Sequence, residues 1–267
     1  MTLQAALPIL NPVPADPETL WGRVNGLPGT QPLGQAPWLW VLPSYAAQMA
    51  ERERLIREIP GQVIAGLPGS EAAAAELLDM VLEAVERHPG YHARPGMMEC
   101  PDGRVVPLDR DRPLATAGRL VQEDLCLMLR PEGAEEHLLG AAVLCFPANW
   151  TLSQKLGRGM GRIHAPVDYY DEGVAKRVQR LLDGVQPDRP IWRSNMHLAQ
   201  DPALFQPQRE DEKWPRRTGG DYVRSERQVL LRLPRSRAVV FAIHTLMLRL
   251  SDMPDPWRSS LMDHAHP

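Results

Sequence analysis

The spacing of apolar positions changes twice along the chain, and each change marks a new kind of element. Residues 1–43 are rich in proline and glycine, with isolated large apolar residues at Trp21, Leu33, Trp38, Leu39 and Trp40. No period runs through them, so they are expected to form an extended arm, and their tryptophans argue that it packs on the body. From residue 45 to 59 the spacing is helical, with Ser44 at the N-cap position and Pro60-Gly61 as the stop. A second helix opens at Gly69-Ser70-Glu71, with Ser70 placed to cap it. Its stripe is Leu77, Leu78, Val81, Leu82 and Val85, and His88-Pro89-Gly90 ends it.

After a turn-rich stretch the texture becomes that of strands. Residues 125–129 and 137–146 read as strands across the turn Arg130-Pro131-Glu132-Gly133. Residues 149–165 are polar and glycine-rich, a loop with one or two helical turns. Pro166 then starts a helix running to about residue 182, with Val167, Tyr170, Val174, Val178 and Leu181 on one side. Residues 191–199 read as a strand and 203–219 as a polar loop. Residues 222–233 and 238–250 read as a long hairpin over Pro234-Arg235-Ser236-Arg237. Residues 251–267 read as a flexible tail. Helices followed by a mostly antiparallel sheet with a helical insertion imply an α+β fold. The single main domain would span residues 44–250, and the insertion could wall a ligand pocket on one sheet face.

Composition narrows the class. With 267 residues, 43% hydrophobic and 24% charged, the chain can bury a full core and is not intrinsically disordered. No apolar run approaches the ~18 residues of a membrane span. The formal net charge of −3 gives no basic excess, so neither nucleic acid nor a membrane surface is an expected partner. Cys100, Cys126 and Cys145 are scattered and form no CxxC pair, which argues against a disulfide framework, a zinc site or an iron–sulfur site within the chain. The N-terminus lacks the basic and apolar regions of a signal peptide, so a cytoplasmic location is expected. Lysine occurs only at Lys155, Lys176 and Lys213, so nearly all basic groups are guanidinium forks suited to carboxylates and phosphates.

Few segments carry chemistry. No glycine loop follows a strand as a nucleotide site requires, and Gly157-Arg158-Gly159-Met160-Gly161 precedes no βαβ unit. There is no nucleophile elbow and no zinc-helix motif. Pro89-Gly90 keeps His88 and His92 off a common helical face, and His264 and His266 lie in the tail. His164 stands where the polar insertion meets the next helix, as a capping or packing residue or as a ligand. In Arg224-Ser225-Glu226-Arg227-Gln228, alternation puts Arg224, Glu226 and Gln228 on one strand face and Arg227 with Val229 on the other. A buried Arg–Glu pair needs partners or a ligand; a solvated edge strand would need neither.

The same segments carry a resemblance. They are Glu123-Asp124-Leu125; Pro147-Ala148-Asn149-Trp150 with Lys155 and Gly157; and Ile163-His164-Ala165-Pro166-Val167. They continue with Arg193-Ser194-Asn195, then Arg224 through Leu230, leading to Arg232-Leu233-Pro234. In order and spacing, over about residues 30–250, the chain resembles the haem-dependent oxidative N-demethylase family, the dimethylamine monooxygenase α subunit-like proteins. The resemblance implies a PAS-like antiparallel sheet with helices over one face forming a pocket for haem b. It implies O₂-dependent demethylation of a small methylated amine such as dimethylamine. Electrons would come from NADPH through FMN and a 2Fe-2S cluster in reductase or ferredoxin-type partner subunits.

Carried over residue by residue, His164 is the implied iron ligand, and its second ring nitrogen would need an orienting acceptor. Lys155, Arg158 and Asn149 fall on the implied cofactor side. Glu226 would hold an ammonium, and Arg224 would stabilise negative charge developing on dioxygen. The chain departs from the family pattern at Asp168, Met196 and His244, where proline, tryptophan and arginine are usual. His244 is read as a second iron ligand, a titratable distal group or an ordinary strand residue. The same fold would also serve a haem sensor or binding module without turnover.

Overall fold

A computed structural model describes residues 7–14, 29–164, 172–212 and 219–264. In chain order the arm contributes β1 (Gln31–Pro32), followed by α1 (Tyr45–Glu58), α2 (Pro60–Val63) and β2 (Ile64–Gly66). Next come α3 (Glu71–Glu86), the short strands β3 (His92–Arg94), β4 (Met97–Glu99) and β5 (Val105–Pro107), and α4 (Pro113–Leu120). Then β6 (Asp124–Leu129) and β7 (Leu138–Val143) precede α5 (Leu152–Lys155), α6 (Met160–His164) and α7 (Glu172–Gly184). The chain continues through β8 (Ile191–Ala199), β9 (Tyr222–Arg232) and β10 (Val239–Arg249) to α8 (Asp255–His264). The α+β class expected from the sequence is what the structure has.

Seven strands form one antiparallel sheet in the order β1-β8-β9-β10-β6-β7-β2, and β3-β4-β5 form a second, small sheet. The β9–β10 ladder runs unbroken from Tyr222 opposite Arg249 to Arg232 opposite Val239. On its other side β9 pairs with β8, from Ala199 opposite Tyr222 to Ile191 opposite Leu230. With the register fixed on both edges, every side chain of β9 is committed to one face or the other.

One face packs against the arm and α1, α3, α4 and α8. It presents Leu125, Leu127, Ala141, Val143, Val229, Leu231 and Val240 to Met49, Ile56, Leu77, Leu78 and Val81. At its far end Val223, Leu246 and Leu248 meet Trp257 and Leu261 of α8 and Trp40 of the arm. The opposite face is covered over its apolar half by the α5–α7 insertion, where Cys126, Met128, Leu230 and Val239 meet Leu152, Leu182 and Val185. This second face is called the insertion face below.

Several expectations are corrected. Neither Ser44 nor Ser70 caps its helix through its side chain. The Ser44 hydroxyl accepts from Asn11 at 2.8 Å, and the Ser70 hydroxyl donates to the Leu67 carbonyl at 2.7 Å. A tertiary partner takes the Ser44 hydroxyl from the cap, and a local carbonyl three residues back takes that of Ser70. The turn-rich stretch holds a three-stranded sheet and α4. Part of the segment read as a tail is α8, with Trp257 and Leu261 buried. Residues 165–171, at the start of the helix expected from Pro166, lie outside the described residues.

Candidate functional site

The polar half of the insertion face is built by alternation on β8, β9 and β10. Arg224, Glu226 and Gln228 point there from β9, as alternation predicts, and all three are buried. Arg224 Nε donates to Glu226 Oε1 at 3.2 Å, and Gln228 Nε2 donates to Oε2 at 3.1 Å. The carboxylate is therefore gripped on both oxygens. Arg224 is fully enclosed, and its remaining nitrogens donate to the carbonyls of Leu204 at 3.1 Å and Phe146 at 2.5 Å. A guanidinium so occupied fixes Glu226 rather than reaching a ligand itself. The solvated-edge reading of this strand fails, because β9 is central and its polar run is buried.

Strand β8 adds three residues that were not singled out as site candidates. Arg193, Asn195 and His197 stand opposite Gln228, Glu226 and Arg224, on the same face and half-buried. Burial pushes the His197 imidazole below its ordinary value, against the pull of Glu226, so it is neutral at pH 7. Burial also lowers the proton affinity of Arg193, with Glu226 opposing. Arg193-Ser194-Asn195 was visible as a motif, and alternation carries its face one step further to His197. On β10, Thr245 stands opposite Glu226, with its buried hydroxyl unpartnered among the described residues.

His164 ends α6, on the same side of the sheet; its side chain lies outside the described residues. The turn that carries it is clamped. Lys155 Nζ, buried, donates to the Ile163 carbonyl and to Glu210 Oε1, each at 2.6 Å. Arg162 donates to Glu210 Oε2 at 2.7 Å. Glu210 is held at about 2, well below the ordinary carboxylate value, by its hydrogen bonds to Arg162 and Lys155. Lys155 is thus committed to holding the backbone before His164. Arg158 is exposed. Asn149 is exposed too, in a left-handed conformation with φ of 61°, and its N–H donates to the Gln206 carbonyl at 3.0 Å.

His244 is placed differently from Glu226. It stands opposite Arg227 on β9, on the helical face, so the sheet separates it from Glu226 and Arg224. It is fully buried, its Nδ1 is 2.9 Å from Glu123 Oε1, and its ring meets Trp40 edge-on at 5.5 Å. Arg227 lies over Trp40 at 4.1 Å and donates to the carbonyls of Trp38 and Pro37. Glu123 Oε1 also accepts from the backbone N–H of Trp40 at 2.9 Å. This constellation latches the arm to the sheet.

The Glu123-Asp124-Leu125 motif divides its work across the sheet. Asp124 accepts from Arg52 at 2.6 Å and from the backbone N–H groups of Cys145 and Phe146 at 2.7 and 2.9 Å. It ties α1 to the end of β7, and through Phe146 to Arg224. Among the described residues no helix is long and apolar enough to cross a membrane.

Residues 29–264 match the family described as haem-dependent oxidative N-demethylase, alpha subunit-like. That match spans the arm from β1 onward, the whole sheet, the insertion and α8, and so includes both the Glu226 strand and the His164 turn. One observation on the insertion face suits such a cofactor: the Arg193 guanidinium, whose buried Nε has no partner among the described residues, lacks the acceptor that an acidic group would supply. The family name carries haem dependence and oxidative N-demethylation, and the chain belongs to this haem-dependent oxidative N-demethylase, alpha subunit-like family.

Proposed function

We propose that the chain is the haem-binding subunit of an oxidative N-demethylase whose reaction centre lies on the insertion face, in a PAS-like domain. The observation that carries this reading is Glu226, a buried carboxylate gripped on both oxygens, on the side of the sheet where α6 ends in His164. His164 would ligate the iron of haem b, and the haem would supply the centre at which O₂ is reduced. One oxygen atom enters the substrate methyl group, which leaves as formaldehyde. The other leaves as water, with two electrons and two protons taken up.

The chain's own residues do the rest. Glu226 binds the ammonium of a small methylated amine such as dimethylamine, and Arg224 and Gln228 hold the carboxylate in place. Neutral His197 stands on the same face to accept the proton the amine gives up. Lys155 and Glu210 set the backbone before His164. The electrons come from NADPH through FMN and 2Fe-2S centres on partner subunits. The location that goes with this reading is cytoplasmic.

An amine titration followed by the Soret band tests the reading. Glu226→Gln should leave haem content intact, weaken dimethylamine binding by roughly 10-fold or more, and lower turnover, because a cation then lacks its counter-ion. Equal affinity in both proteins would place Glu226 outside the site. A haem protein with no amine response and no turnover with a reductase partner would be the sensor instead.

A further inference from the structure

Five arginines are anchored in or behind the main sheet, and one of them differs from the rest. Arg52 donates to Gly118, Gln122 and Asp124. Arg224 donates to Glu226, Leu204 and Phe146. Arg227 donates to Trp38 and Pro37, and Arg232 to Val185, Leu182 and Arg237. Each guanidinium meets at least two acceptors, as buried cations must. Arg193 has no hydrogen bond to any described residue, although its Nε is enclosed.

The charges around it sharpen the point. Among the described residues, the β8–β9 part of the polar half carries two guanidiniums, Arg193 and Arg224, against one carboxylate, Glu226. Glu226 is already paired with Arg224 at 3.2 Å, and the nearby His197 is neutral. Among the described residues a half-buried positive charge is left over. An incoming ammonium alone would add to it; an incoming carboxylate would cancel it and supply the acceptors that the fork lacks.

We propose that Arg193 is a carboxylate receptor on the insertion face. The carboxylate has two available sources: a haem propionate, or the carboxylate of an N-methylated amino acid whose ammonium sits at Glu226. Both rest on the functional reading above, in which haem and amine share this face. In the second case Arg193 and Glu226 together form a site for a zwitterion, and the preferred substrate is an N-methyl amino acid, not a simple dialkylamine.

The experiment compares wild type, Arg193→Gln and Arg193→Lys in two arms, with a thermal melt showing that each variant is folded. In the first, haem b and its dimethyl ester are titrated into the apo-protein and followed by the Soret band. In the second, N-methylglycine and dimethylamine are titrated by calorimetry into protein with and without haem. A propionate source predicts that Arg193→Gln weakens haem b by about 10-fold while the diester is unaffected. A substrate source predicts a similar loss for N-methylglycine with none for dimethylamine. Arg193→Lys should fall between wild type and Arg193→Gln in the affected arm. If wild type takes up no haem yet binds N-methylglycine through Arg193, the functional reading fails and the receptor stands. If Arg193→Gln changes neither arm, or wild type binds no carboxylate in either, the receptor is overturned.

Discussion

At position 226 a carboxylate accepts from Arg224 on one oxygen and from Gln228 on the other, and Arg224 is itself tied to two backbone carbonyls. That chain of contacts makes Arg224 a positioning residue. Arg224→Met removes the counter-ion of a buried carboxylate, and the expected cost is about 3–5 kcal/mol, read as a fall in the urea midpoint. An unchanged midpoint would mean that Glu226 does not rely on the pair. His244 gives the complementary case. Because it sits on the other face against Glu123 and Trp40, His244→Ala should leave the Soret band in place while loosening the arm. Loss of haem in that variant would put the iron on the wrong side of the sheet in this account. Alternation alone was enough to group Arg224, Glu226 and Gln228. The face of His244 was not legible, because it depends on the β9–β10 register, which pairs it with Arg227. His197 was legible in principle by the same alternation that runs through Arg193 and Asn195.

Among the elements, the long ones were readable and the short ones were not. Helices α1 and α3 and the β9–β10 hairpin carry enough residues for a period to show. Strands of three residues, such as β3, β4 and β5, have no room for one. Helix α4 is hidden by small residues, Ala115, Ala117 and Gly118, which let it lie close on β7. A Cβ at Gly118 would come within 2.5 Å of a Val143 methyl, so Gly118→Ala is expected to cost roughly 1–3 kcal/mol by overpacking, measurable by chemical unfolding. Helix α8 had a signal in Trp257 and Leu261, four residues apart, beneath the proline and aspartate that suggested a tail. Truncation after residue 254 removes both side chains from the core, an expected loss of roughly 3–6 kcal/mol. A truncated chain as stable as the full one would show that α8 merely rests on the surface.

The clamp around α6 has a pH signature. Glu210 has its folded-state value lowered to about 2 by Arg162 and Lys155, from an ordinary value near 4.5. A depressed carboxylate contributes fully above its unfolded value and is lost as pH falls through the folded one. The contribution should therefore be present at neutral pH and fade between about 4.5 and about 2. Glu210→Gln should remove that part of the acid dependence, and a pH series of thermal melts reads the difference. Identical acid profiles would show that the clamp is idle.

Across the whole molecule, one sheet separates two tasks. The helical face is a core closed by the arm, with the Glu123, His244, Arg227 and Trp40 constellation as its latch. The insertion face pairs an apolar half under α5–α7 with a polar half centred on Glu226. The family match spans both faces, and the α+β architecture follows from the order of helical and alternating segments. The division between faces did not follow, because it is set by strand order and register, which link residues from 31 to 249. The central claim is that haem sits on the insertion face with His164 on the iron. Its most direct test is the visible spectrum of wild type and His164→Ala, oxidised and then reduced under carbon monoxide. The account predicts a Soret band in wild type with a carbon monoxide shift, and loss or displacement of that band in His164→Ala with partial return on adding imidazole. An identical spectrum and haem stoichiometry in the two proteins would contradict it.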